Sequence, residues 1–125
     1  MTAPGLSTTN ADLALTAAVG SNAGFVQLHT GDPGSAGTTA VSSVTTREAA
    51  TWGSASAGSI AITGTDPEWT SWAGTNGEVV SYISFWSLSS AGTFGLSMQL
   101  TSSVTMDTGD SLTITSASVT ITPAS

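Results

Sequence analysis

Apolar residues recur at every second position through long stretches of this chain. Leu112 and Ile114, then Val119 and Ile121, alternate with threonine and serine, while Phe25, Gln27 and His29 share one parity and Val26 and Leu28 the other. A period of two is the mark of a β-strand, whose successive side chains leave opposite faces. Strands are predicted over 25–29, 41–52, 59–63, 78–88, 93–100, 103–106 and 111–121. Turn chemistry separates them at Thr30-Gly31-Asp32-Pro33-Gly34, Gly53, Gly58, Gly64-Thr65-Asp66-Pro67, Gly74-Thr75-Asn76-Gly77, Ser90-Ala91-Gly92 and Asp107-Thr108-Gly109-Asp110. Proline presets φ at these points and glycine tolerates φ > 0. One stretch breaks the pattern: Asn10 can cap a short helix over 11–19, with Leu13, Ala17 and Val19 at partial helical spacing and Gly20 as its stop. The prediction is an all-β fold, an antiparallel β-sandwich or small barrel, with residues 1–9 as an extended N-terminal arm and 10–125 as a single β-sandwich domain.

The segment Tyr82-Ile83-Ser84-Phe85-Trp86-Ser87-Leu88 carries large side chains on both parities. A strand of that kind is covered on both sides.

Composition narrows the function. Only 7% of the 125 residues are charged, as eight carboxylates against Arg47 for a net charge of −7, while 21 serines and 22 threonines supply the polar surface. Threonine suits the solvent face of a strand, so the low charge and the β pattern are one observation. With a single basic side chain, nothing neutralises phosphates or docks on anionic lipid, which excludes nucleic acid and membrane surfaces as partners. No apolar run is long enough to span a bilayer, and Met1-Thr2-Ala3-Pro4-Gly5 lacks the basic and apolar regions of a secretory signal. The absence of cysteine removes disulfides and thiolate chemistry and fits synthesis in a reducing cytosol. Few charges also means few gatekeepers against edge-to-edge strand pairing, so the edges are expected to be covered in an assembly.

Candidate chemistry is sparse. His29, the sole histidine, has Asp32 three residues on, but no one of the many hydroxyls stands out as its nucleophile, and one histidine without cysteine makes a poor zinc site. It is expected to pack or hydrogen-bond locally at a strand end. Asp107 and Asp110 flank Thr108-Gly109, a spacing that suits a β-turn better than a calcium loop. Asp66, Glu68 and Glu78 give no supported glycosidase pair. Arg47 is expected to act as a fixed bidentate partner for a carboxylate, with Glu78 the candidate and Glu48, Asp66 and Asp110 the others possible; contact with a neighbouring subunit is the other role open to it. Trp69 and Trp72 fall in a loop-like segment and are candidates for partner or glycan contact, or for a lid on the open end of the sandwich. No catalytic residue, metal or cofactor is expected.

Taken in order, Phe25-Val26-Gln27-Leu28-His29-Thr30-Gly31-Asp32-Pro33-Gly34, Arg47 ahead of Trp52-Gly53, Glu78-Val79-Val80-Ser81-Tyr82-Ile83-Ser84-Phe85-Trp86, Gly92-Thr93-Phe94-Gly95 and Asp107-Thr108-Gly109-Asp110-Ser111-Leu112-Thr113-Ile114 resemble a family of small tailed-phage virion structural proteins. The resemblance covers roughly residues 24–122. It implies a non-enzymatic bacteriophage virion protein, made in the host cytoplasm and acting in many copies. As a capsid decoration protein it would bind the major capsid protein outside the particle, as a homo-oligomer or bound to the lattice. As a tail-fibre or minor tail protein it would join tail proteins and present a host-binding surface. From another class, a carbohydrate-binding module would be built around Trp69 and Trp72.

Overall fold

The computed structural model describes residues 4–124. Its first element, helix α1 (Thr8–Leu15), starts three residues before the position predicted from sequence. Ser7 is the cap: its backbone is extended and its hydroxyl accepts from the Asn10 N–H at 3.2 Å. Asn10 therefore supplies a helical N–H rather than the capping oxygen. The helix runs on through a wide π-type turn (Thr16–Gly20), and its inward face is Ala11, Leu15 and Val19, spaced by four, while Leu13 is 62% exposed. Of the expected arm, residues 1–3 lie outside the described residues and Thr8 and Thr9 are already helical. Leu6 is tied to the other end of the chain, its carbonyl accepting from the Ala124 N–H.

The rest is antiparallel β structure in two layers. The first layer is a four-stranded sheet in the order β2 (Glu48–Ala49), β1 (Phe25–His29), β6 (Glu78–Trp86), β7 (Phe94–Met106). The second combines β3 (Thr51–Trp52), β4 (Ser59–Thr63) and β9 (Ser118–Thr120) with the pair β5 (Glu68–Trp69) and β8 (Leu112–Thr113). The predicted strand over 41–52 is shorter than its pattern, because the chain changes sheets within it: Glu48–Ala49 pairs with β1, Thr51–Trp52 pairs with β4, and Ala50 between them donates to the Gly24 carbonyl. That crossover closes one side of the sandwich. On the opposite side β7 and the line Leu112–Ser118 end their sheets without meeting, so the architecture is a sandwich and not a closed barrel.

The register of β1 on β6 sets Val26 opposite Phe85 and Leu28 opposite Ile83 on the face toward the second layer. These four join Leu15, Val19, Ile60, Trp69, Trp72, Val80, Met106, Leu112 and Ile114 in the apolar core. The other face of the same strands holds Gln27 opposite Ser84 and Phe25 opposite Trp86, and it too is covered, by the connection 30–47. Gly37 in that connection takes φ +73° and lies so close to Phe94 that a Cβ there would sit 2.5 Å from the ring. The two-sided cover expected for the Trp86 strand is present, but its second side is a polar layer. β7 is interrupted as its two predicted strands suggest, with β6 partners for Phe94, Leu96–Gln99 and Val104–Met106 and register shifts at Gly95 and over the residues between Gln99 and Val104.

Candidate functional site

The buried polar layer holds the only histidine and the only cation of the chain. His29 and Ser84 are fully enclosed, and Trp86 is nearly so. The Nδ1 of His29 lies 2.9 Å from the Thr39 carbonyl, which can only accept, so Nδ1 carries the proton. Nε2 is then bare and accepts from the Ser84 hydroxyl at 2.7 Å, and Ser84 Oγ in turn accepts from the Trp86 indole N–H at 2.8 Å. Every donor in this relay meets one acceptor. Burial lowers the His29 pKa, opposed by the carbonyls of Thr39 and Ala40 and assisted by the positive charge of Arg47. His29 is thus neutral at physiological pH.

A serine 2.7 Å from a histidine has the spacing of a nucleophile and its base. Here the second ring nitrogen meets a carbonyl instead of a carboxylate, and neither side chain touches solvent. Both side chains are enclosed by the protein, and the relay fastens the connection 30–47 to the sheet.

Arg47 lies along the edge of the same layer. Its guanidinium carbon stands 4.1 Å from the centroid of the Trp86 ring, Nη1 donates to the carbonyls of Leu88 at 2.9 Å and Ala91 at 2.7 Å, and Nε points to Gln27 Oε1 at 3.4 Å. Ala91 is held in a left-handed conformation, φ 54°. Such a conformation costs a non-glycine residue on the order of 1 kcal/mol, and the charge-assisted bond to its carbonyl offsets it. Burial lowers the Arg47 pKa, and a guanidinium stays charged regardless.

The structure does not bring Arg47 and Glu78 together. They belong to opposite ends of β6, about 26 Å apart along the strand at 3.3 Å per residue. Glu78 instead accepts from the Ser42 hydroxyl and from the Ser43 N–H at 3.1 Å. Burial raises its pKa, but the hydrogen bonds from Ser42 and Ser43 outweigh that and hold it below the ordinary carboxylate value. The partner expected for Arg47 was a carboxylate; the partners are carbonyls, because the β6–β7 loop folds back over Trp86.

Trp69 and Trp72 are buried, 4% and 2% exposed, with their indole N–H groups donating to the carbonyls of Thr46 and Thr75. The segment that reads as a loop contains β5 and folds into the core. A depression of about 230 Å³ lies beside them, bordered by Val44, Thr46 and Glu48, but their ring faces are not free to stack on a sugar. Asp107 and Asp110 make the turn: Asp110 accepts from the Asp107 N–H at 2.9 Å. Among the described residues no three acidic or histidine side chains converge as a metal site.

One concavity is a feature that the alternation of residues does not reveal. On the open side of the sandwich, Ile83, Met98, Leu100, Val104, Leu112 and Ile114 line a groove of about 630 Å³. Their alternation was legible in the sequence, but that their two strands face each other across a gap was not.

Fold and site together define a small, charge-poor β-sandwich whose polar side chains fasten its own loops. Residues 7–122 match the family model described as podophage GP4 fiber I protein gp80. The chain belongs to that family, and with it to the structural proteins of tailed-phage virions. No curated protein matches the chain. Among the described residues no helix is long and apolar enough to cross a membrane.

Proposed function

We propose that this chain is a non-catalytic component of the fibre apparatus of a tailed phage, assembled with tail proteins and contributing outer surface to the virion. The observation that carries the non-catalytic reading is the use made of its scarce chemistry. The one histidine and the one arginine both spend their hydrogen bonds on the protein's own carbonyls and hydroxyls, and among the described residues no buried side-chain nitrogen or oxygen lacks a partner. Reactive groups commonly keep unmet hydrogen-bonding capacity for a substrate, and these buried side chains keep none. The family description supports placing the protein in a fibre.

A second reading, decoration of the capsid through contact with the major capsid protein, is favoured by the shape of the unit. The described residues form one sandwich without heptads or fibrous repeats. Particles lacking the protein distinguish the two. Intact heads with lost adsorption and missing density at the tail support the fibre reading. Heads that lose density on their shell and break on mild heating overturn it in favour of decoration.

A further inference from the structure

We propose that Asn76 is a latent modification site, an Asn–Gly pair that deamidates through a succinimide and that the fold keeps closed by holding both reacting groups on residues 106–108. Asn76-Gly77 is the one place in the chain where asparagine precedes glycine; Asn10 and Asn22 each precede alanine. Glycine brings no side chain to hinder the approach of its nitrogen and leaves the backbone free to reach the reactive geometry. Both residues are exposed, on the turn 75–78 that leads into β6, where Gly77 takes φ +82° and the Glu78 N–H donates to the Thr75 carbonyl at 3.2 Å. The reaction needs only this turn and water. The Gly77 amide nitrogen gives up its proton and attacks Asn76 Cγ, a new C–N bond closes the imide ring, and the side-chain nitrogen takes a proton and leaves as ammonia. Water then opens the ring at one carbonyl or the other, giving aspartate or isoaspartate with no change of oxidation state.

In the folded chain neither reacting group is free. The Gly77 N–H donates to the Met106 carbonyl at 2.8 Å, so the nitrogen must leave that bond before it can lose its proton. Asn76 Oδ1 accepts from the Thr108 N–H at 2.9 Å, with the Thr108 hydroxyl at 3.4 Å, which anchors the side chain on the neighbouring turn. That turn is itself fastened. Asp110 accepts from the Asp107 N–H at 2.9 Å, and the backbone of buried Trp72 donates to the Asp110 carbonyl at 2.8 Å and accepts from the Gly109 N–H at 3.0 Å. Reaction at Asn76 therefore waits on an opening that separates 75–78 from 106–110, a local event well short of unfolding the core. The product acts on the sheet. Isoaspartate puts an extra carbon into the main chain between residues 76 and 77, which shifts Gly77 off Met106 at the first rung of β6 on β7, where Glu78 pairs with Met106. Because Glu78 holds Ser42 and Ser43, the disturbance reaches the connection 30–47. The chemistry belongs to the chain itself and does not depend on the fibre reading.

The test follows isoaspartate by enzymatic methylation and peptide mapping, with the full chain held in mildly alkaline buffer, folded or in urea. Asn76 is expected to convert roughly tenfold or more slowly in the folded chain than in urea, with Asn10 and Asn22 lagging behind it in urea. Thr108→Pro probes the anchor. The Asp110 N–H donates to the Asp107 carbonyl at 3.0 Å and Gly109 takes φ +92°, a type II turn that favours proline at position 108. This variant removes both donors to Asn76 and is expected to convert about threefold or more faster than wild type while keeping the tryptophan circular dichroism of the folded chain. Thr108→Val keeps the N–H and is expected to match wild type. Equal rates in the folded and urea-unfolded chain, or a Thr108→Pro rate no higher than that of Thr108→Val, overturn the proposal.

Discussion

Lowering the pH should unfasten the polar layer at one residue. His29 is the only side chain of this protein with an ordinary pKa near 6.5, and its folded value is lowered, first by burial. The folded state therefore holds fewer protons than the unfolded chain between the two values. Stability is fully present above about pH 6.5 and is lost as the pH falls from there toward the folded pKa, with a slope of up to about 1.4 kcal/mol per pH unit. The structural cause is the relay. A second proton on Nε2 points a donor at Ser84 Oγ, whose own hydrogen then has no acceptor while Trp86 still donates to it. An unmet buried donor costs about 1–3 kcal/mol, and the buried charge adds to it. The assay is urea unfolding followed by tryptophan fluorescence at half-unit steps from pH 8 to 5, for wild type and His29→Gln. Glutamine does not titrate, so the wild-type curve should fall below pH 6.5 while that of His29→Gln stays level down to the carboxylate range. Glu78 acts in a separate window: its lowered pKa means that its contribution is lost only below about pH 4.5. A wild-type profile parallel to that of His29→Gln between pH 5 and 7 would refute the relay as drawn.

Further outcomes follow from the same contacts. Arg47→Ala removes two bonds to loop carbonyls and the stacking on Trp86; these partners are partly solvated, so the loss should be about 1–2 kcal/mol, a few degrees of melting temperature, with faster amide exchange in the β6–β7 loop. Arg47→Lys should recover less than half of it, because an ammonium does not reproduce the planar fork. Gly37→Ala combines a left-handed backbone with a 2.5 Å approach to Phe94 and should destabilise by roughly 2 kcal/mol or more in thermal unfolding; a neutral result would show that the connection 30–47 does not sit against the sheet. Trp72→Ala should cost about 3–5 kcal/mol as a core deletion and Trp72→Phe much less, while glycan arrays probed with wild type should give no signal that depends on Trp72.

Local chemistry is what the order of residues carries on its own. The strands, their alternation and their punctuation depend on residues one to four apart. At the first predicted turn Asp32 accepts from the Gly34 N–H and Gly34 takes φ +77°, and Gly64, Gly77, Gly92 and Gly109 likewise take positive φ between strands. The scarcity of charge was equally plain, and with it the poverty of active-site groups. The helix start shows where local reading reaches its limit: Ser7 and Asn10 are both good caps, and the choice was made by the packing of Ala11, Leu15 and Val19, which sets the phase of the helix.

The tertiary structure decided what depends on residues far apart in the chain. That Gln27, His29 and Ser84 face a second, polar interior follows from the register of β1 on β6 and from the fold of 30–47 over it, and a period of two names a face without saying what covers it. Arg47 met carbonyls 41 and 44 residues away because the β6–β7 loop returns over Trp86, a path that leaves no mark on the sequence around Arg47. Trp69 and Trp72 were drawn into the core by the pairing of β5 with β8, which ordinary loop chemistry gave no reason to expect. The open side depends on the longest relation of all. At Ala50 the chain passes from a strand of one sheet directly into a strand of the other, whereas β7 and Leu112–Ser118 are joined only through the turn 107–111 at one end, so the sandwich closes on one side and leaves a groove lined by uncharged residues on the other.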